Sequence, residues 1–204
     1  MFQGNTLSIY HSAAKTLNDA DRLRLSVLLK KGLASDAIHC TEPNREDDHY
    51  WLINQGSQLI AAVQHHSLWI PDHVNHQLTM DTSPLLPALP FTKHSVLGQP
   101  LTNSLYIGQL RQLMVAPAFQ RQGLGKILVQ QVEKYIHQQG QRHHRRAICL
   151  LHARVSALDF YRQLGYRPMT NQNLTMWPPG HRQPISGGCS GVHYRWLYRC
   201  LEQQ

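Results

Sequence analysis

The chain has 204 residues, enough for one domain with a hydrophobic core. No apolar run approaches the length of a membrane-spanning helix, so a membrane partner is set aside. The formal charge of +8 suits an anionic partner, either a nucleic acid or a small polyanion.

The N-terminus, Met1-Phe2-Gln3-Gly4-Asn5, lacks the basic and apolar segments of a secretory signal, and the expected compartment is the cytoplasm. Cys40, Cys149, Cys189 and Cys200 are widely spaced with no Cys-x-x-Cys pair, which suggests neither zinc nor a redox motif. Cys149 lies in an apolar run and reads as a core residue.

Leu7-Ser8-Ile9-Tyr10 reads as a first strand. A helix follows from about Asn18 to Lys31, with Asn18 or Asp19 as cap, Leu25, Leu28 and Leu29 on its apolar side and Gly32 at its end. A short helical stretch around Ala34 to His39 gives way to a polar loop from Thr41 to Asp48. His49 to Ile53 and Gln58 to Ile70 are strands joined by the turn signal Asn54-Gln55-Gly56-Ser57, which makes a hairpin. Residues 71–104 carry Pro71, Pro84, Pro87, Pro90 and Pro100 with little periodicity, and read as an insertion or flap within a single domain spanning 1–204. His73, His76 and His94 fall here, but Pro71 and the polar context argue against a formed site, and no metal site is expected.

Leu105 to Val115 is an apolar strand. Ala116-Pro117-Ala118-Phe119 is a turn, and Gln120-Arg121-Gln122-Gly123-Leu124-Gly125 is a glycine-bearing loop. The helix after it, Leu124 to Gln139, places Leu124, Ile127, Leu128, Val132, Tyr135 and Ile136 on one stripe, with Gly140 as its expected terminator. Arg142-His143-His144-Arg145-Arg146 has no interleaved aromatics and reads as a solvated loop, so nucleic acid is disfavoured as a partner. Ala147 to Leu151 is continuously apolar, the pattern of a strand buried on both faces. Ser156 and Asp159 form a capping-box pattern opening a helix that carries Phe160, Tyr161 and Leu164 and stops at Gly165. Tyr166 to Thr170 reads as an edge strand because of Pro168, and Val192 to Leu201 as a final strand.

The glycine loop is the most informative stretch. Amides at the start of a helix have no internal acceptor, and the helix dipole favours negative charge there, so a phosphate is the natural guest. A P-loop would need Ser or Thr after Lys126, where Ile127 stands. A dinucleotide fingerprint would need Gly at position 128, where Leu128 stands.

Residues 120–125 instead fit Gln/Arg-x-x-Gly-x-Gly/Ala after a Val-x-Pro turn, which resembles motif A of the Gcn5-related N-acetyltransferases, the GNAT superfamily in its bacterial form. His152 to Tyr166, with Phe160-Tyr161 and then Gly165-Tyr166, is similar to motif B. Arg154 departs from the family, which commonly has Asn there. The resemblance implies an α/β fold: a central, mostly antiparallel twisted sheet with a splayed parallel strand pair and flanking helices. It also implies acetyl transfer from acetyl-CoA to a primary amine by direct attack in a ternary complex, without a metal. The loop Gln120, Arg121, Gln122, Gly123, Leu124, Gly125 and Lys126 would hold the pyrophosphate. Leu113, Met114 and Val115 would face the pantetheine, with a bulge at Gln112 to Met114 and the Val115 amide toward the oxyanion. Arg154 would meet the pantetheine or a phosphate. Tyr161 fits the family's general acid, since adjacent aromatics on a helix cannot both face one core direction.

The base is not fixed by this pattern. The motif A strand carries Tyr106, Gln109, Arg111 and Gln112 and no carboxylate. Candidates are His65, His66, His152, His193 and Glu46, with His193 placed first from its resemblance to a tail histidine of related branches. The resemblance implies a small-molecule or peptide amine as the acceptor, and a homodimer is left open. A GNAT-fold module that binds CoA, a protein or RNA without catalysis is the alternative; Arg154 and the missing strand carboxylate leave it open, while Tyr161 and the intact glycine loop count against it.

Overall fold

The computed structural model describes residues 7–32, 48–69, 105–168 and 194–201. Strand β1 spans Leu7–Ala13, helix α1 Asp19–Gly32, β2 His49–Gln55, β3 Gln58–Trp69 and β4 Leu105–Val115. Helix α2 spans Leu124–Arg142, β5 Arg146–Arg154, helix α3 Leu158–Gln163, β6 Arg167–Pro168 and β7 Tyr194–Leu201. The seven strands form one mixed sheet in the order β1-β2-β3-β4-β5-β7-β6, parallel at β4–β5. The expected short helix at Ala34 to His39, the segment 71–104, Glu46 and His193 lie outside the described residues.

The described residues divide into two compact units. The first holds β1, α1, β2, most of β3, β4 from Gln109, and α2 as far as Lys134. Asn18 caps α1 as expected: its Oδ1 accepts the Asp21 N–H at 2.8 Å, while Asp21 Oδ2 accepts from Asn18 Nδ2 at 3.0 Å. The β2–β3 hairpin turns at Gly56, whose φ of +57° suits glycine, and its register shifts by one residue between Ile53 and Asn54. Leu25 and Leu28 of α1 pack with Tyr50 and Leu52 of β2, Leu59 and Ala62 of β3 and Met114 of β4.

The second unit holds the end of α2, β5, α3, β6 and β7. Leu151 of β5 pairs with Leu197 of β7, and both are buried. Tyr166 donates its hydroxyl to Cys149 Sγ at 3.0 Å, and its ring meets that of Tyr161 edge-on at 5.6 Å. β6 ends the strand order, as Pro168 requires of a residue with no N–H to give.

Two expectations are corrected. Gly140 does not end α2, which runs on to Arg142. The turn out of the helix is made by His144, at φ +53°, with Arg145 N–H donating to Gly140 O at 2.8 Å and His144 N–H to Gln141 O at 3.0 Å. That is the Schellman pattern, with histidine in the position that usually takes glycine. Gly140 is instead a packing residue on the buried stripe: a Cβ there would meet Ala147 Cβ at 2.9 Å and Arg145 O at 3.0 Å. The capping box also fails. Ser156 lies inside a 3₁₀ turn, Val155–Ala157, so α3 starts at Leu158 with no side-chain cap. Asp159 pairs with Arg162 at 3.1 Å instead.

Candidate functional site

In the first unit, β4 leads into the glycine loop through a sequence of fixed turns. Gln112 has φ +48° inside the strand. A side chain in that left-handed region costs about 1–2 kcal/mol and interrupts the pleat, as a bulge does. It falls within the Gln112 to Met114 stretch where the bulge was expected. Beyond it Met114 is buried and Leu113 and Val115 are half-buried. The Ala116 N–H donates to Ile60 O at 2.8 Å, and Pro117–Phe119 forms a 3₁₀ turn with proline in its first turn.

Two glutamines brace the loop from within. Gln120 Nε2 donates to Val115 O at 3.2 Å, and Gln122 Nε2 donates to Ala118 O at 3.3 Å. Arg121 at φ +62° and Gly123 at φ +82° turn the backbone. The first backbone bond of α2 runs from Ile127 N–H to Gly123 O at 3.1 Å. Among the described residues, none supplies an acceptor for the N–H groups of Arg121, Gln122, Gly123, Leu124, Gly125 and Lys126. A Cβ built on Gly123 meets nothing within 4 Å, so open space lies where it would project. Arg121 and Lys126 are exposed. Amide donors beside open space and two cations fit a pyrophosphate.

The second unit holds Tyr161 and Arg154. Tyr161 is buried, in edge contact with Phe160 at 4.9 Å and with Tyr166. Burial first, and the nearby Cys149 second, push its hydroxyl pKa well above the ordinary tyrosine value. The phenol therefore stays protonated across the physiological range. Of the adjacent aromatics it is Tyr161 that turns inward, while Phe160 is half-buried. Arg154 is half-buried at the end of β5, paired in register with Tyr194.

The candidate bases separate clearly. His65 is fully buried, and burial together with neighbouring His49 and His66 lowers its pKa to about 3, which leaves it neutral. His152 lies flat against Trp196, with ring centroids 4.7 Å apart. His66 is buried with Nδ1 2.9 Å from Asp48 Oδ1, and Gln64 Nε2 donates to Asp48 Oδ2 at 2.6 Å. Asp48 had no place among the sequence-derived site residues. Its link to His66 depends on the one-residue shift at Ile53, which a straight count from the turn would miss. Among the described residues no group of His, Cys, Asp and Glu suits a metal, and no helix is long and apolar enough to cross a membrane.

Residues 92–168 match the family model of the Acetyltransferase (GNAT) domain. Among curated proteins, none matches the chain in sequence. Among solved structures, Escherichia coli ElaA is 12% identical with a TM-score of 0.55, over 95% of this chain and 99% of that one. A GNAT-family acetyltransferase from Staphylococcus aureus Mu50 is 13% identical with a TM-score of 0.53, over 96% and 100%. Arabidopsis thaliana NAA60, solved in complex with acetyl-CoA, is 14% identical with a TM-score of 0.53, over 96% and 99%. The fold is the GNAT fold.

Proposed function

We propose that this GNAT-fold chain is an N-acetyltransferase that takes acetyl-CoA as cosubstrate and acetylates a primary amine in a ternary complex. The observation that carries the reading is the row of amides from Arg121 to Lys126, beside open space at Gly123 and with no acceptor among the described residues. Donors at a helix start that have no internal acceptor are open to an anion, and a diphosphate answers several of them at once.

The residue roles follow the resemblance. The amides of Gln122 through Lys126 hold the pyrophosphate, with Arg121 and Lys126 as counter-charges and Gln120 keeping the loop against Val115. Leu113, Met114 and Val115 offer backbone partners to the pantetheine amides, and the Val115 N–H is aimed at the charge that develops on the carbonyl oxygen. Arg154 takes the place of the usual asparagine and contacts pantetheine or phosphate. Tyr161, kept protonated by burial, supplies a proton to the departing sulfur.

Thermal shift with acetyl-CoA, CoA and an oligonucleotide tests the binding, because a ligand of the native state alone raises the melting temperature. Acetyl-CoA and CoA should raise it and the oligonucleotide should not. Thiol release with a panel of amines then separates an enzyme from a CoA-binding module. Tyr161→Phe should lower turnover by roughly 10²- to 10⁴-fold while leaving the acetyl-CoA shift in place. Unchanged turnover would remove Tyr161 from the chemistry.

A further inference from the structure

A buried polar group lies on the same face of the first unit as Met114, where apolar residues would have been the cheaper choice. Asp48 is fully buried, as are Tyr50 and Gln64, and His66 is nearly so. The hairpin register sets Tyr50 opposite Gln64 and His49 opposite His65, so the same count brings Asp48 opposite His66. The one-residue shift between Ile53 and Asn54 makes this so; without it His65 would stand there, and every side chain beyond the shift would change face. A buried carboxylate is expensive unless its oxygens are satisfied. Here Gln64 serves one oxygen at 2.6 Å and the His66 ring serves the other at 2.9 Å.

This arrangement fixes the imidazole chemically. A carboxylate is acceptor-only, so His66 Nδ1 carries the hydrogen and, in the neutral ring, Nε2 is the basic nitrogen. The pair lies close to β4: the Tyr50 phenol responds to both the Asp48 carboxylate and the Arg111 guanidinium, and Tyr50 packs in one cluster with Met114. Among the described residues, the charged and titratable groups that act on the neighbouring Tyr50 and His65 include Arg22 of α1, His11 of β1, His49 of β2 and Arg111 of β4.

We infer that His66 is the general base for the acceptor amine and that Asp48 is its positioning residue, which answers the lack of a carboxylate on β4. The inference rests on the acetyltransferase reading above. An alkylammonium has a pKa of about 10 and cannot attack until it loses a proton. His66 Nε2 accepts that proton and passes it to solvent. The freed nitrogen lone pair forms the C–N bond to the thioester carbonyl, and the C–S bond breaks with its electrons on sulfur. Sulfur takes a proton from the general acid. The second proton leaving the nitrogen replaces it, so one proton is released per turnover.

The test uses two amines: ethylamine, which is cationic near neutral pH, and trifluoroethylamine, which is already neutral there. With ethylamine, His66→Gln should lose roughly 10²- to 10⁴-fold in kcat at pH 7 and regain much of it at high pH. With trifluoroethylamine the loss should be within a few-fold. Asp48→Asn should show the same preference at smaller size. The melting shift given by acetyl-CoA should persist in both variants. Equal losses with the two amines, or wild-type rates in H66Q, would overturn the assignment and leave the acetyltransferase reading standing. A wild-type protein whose melting temperature does not respond to acetyl-CoA and which releases no thiol would overturn both.

Discussion

The two ends of α2 are treated in opposite ways. At its tail every late carbonyl that the turn can reach is used: His143 and Arg145 donate to Gly140 O, and His144 donates to Gln141 O. Gly140 is there because the returning strand comes within 2.9 Å of where a Cβ would stand. At its head the amides from Arg121 to Lys126 have no acceptor among the described residues, and Gly123 faces open space. One glycine serves the chain's own packing, and the other serves a backbone turn beside a vacancy. On the proposed reading, the head of the helix is its ligand end and the tail its structural end.

Substitutions at the two glycines should break this comparison most visibly. Gly123→Val should weaken acetyl-CoA binding about tenfold or more, equivalent to about 1.4 kcal/mol, by filling the space left for the phosphates. Its cost to folding should be confined to the left-handed backbone, about 1–2 kcal/mol, because no protein atom lies in the way. Gly140→Ala should do the reverse. The added methyl overpacks against Ala147 and Arg145, costing about 1–3 kcal/mol in denaturant unfolding, with acetyl-CoA affinity unchanged once the protein is folded.

Smaller effects sharpen the same contrast. Arg121→Ala and Lys126→Ala should each weaken acetyl-CoA by a few-fold, and the wild-type affinity should fall with added salt more steeply than that of either variant, as calorimetric titration at two ionic strengths would show. His144→Gly should be mildly stabilising, by about 0.5–1 kcal/mol, because it relieves a side chain held at φ +53°. A melting temperature that fell on this change would mean the histidine ring contributes more than its backbone conformation costs.

What the sequence made legible was local. The period of α2 from Leu124, the turn signal of the hairpin and the apolar run of β5 could be read along the chain, and each of these elements forms, with α2 and β5 running further than expected. The glycine loop was readable because amides, glycines and flanking cations sit within a few residues of each other. The misreadings were tertiary. Gly140 looked like a terminator because glycine usually takes the left-handed position after a helix, yet its role is set by Ala147 on the next strand. Ser156 and Asp159 had the spacing of a capping box, but Ser156 itself lies inside a 3₁₀ turn, Val155–Ala157, and the helix starts after it at Leu158. Asp48 and His66 meet only through a register shift in the hairpin, and no pattern along the chain records such a shift. Gln112 was anticipated as a bulge site from resemblance alone; nothing in its own chemistry calls for φ +48°.

The most direct measurement is a titration of the isotopically labelled protein with acetyl-CoA, followed through the backbone amide resonances of residues 121–126. Saturable shifts concentrated on those amides, reproduced by CoA and largely abolished in G123V, are the expected result. Resonances that stay fixed while acetyl-CoA is added in excess, or shifts that arise elsewhere and spare the loop, would contradict it.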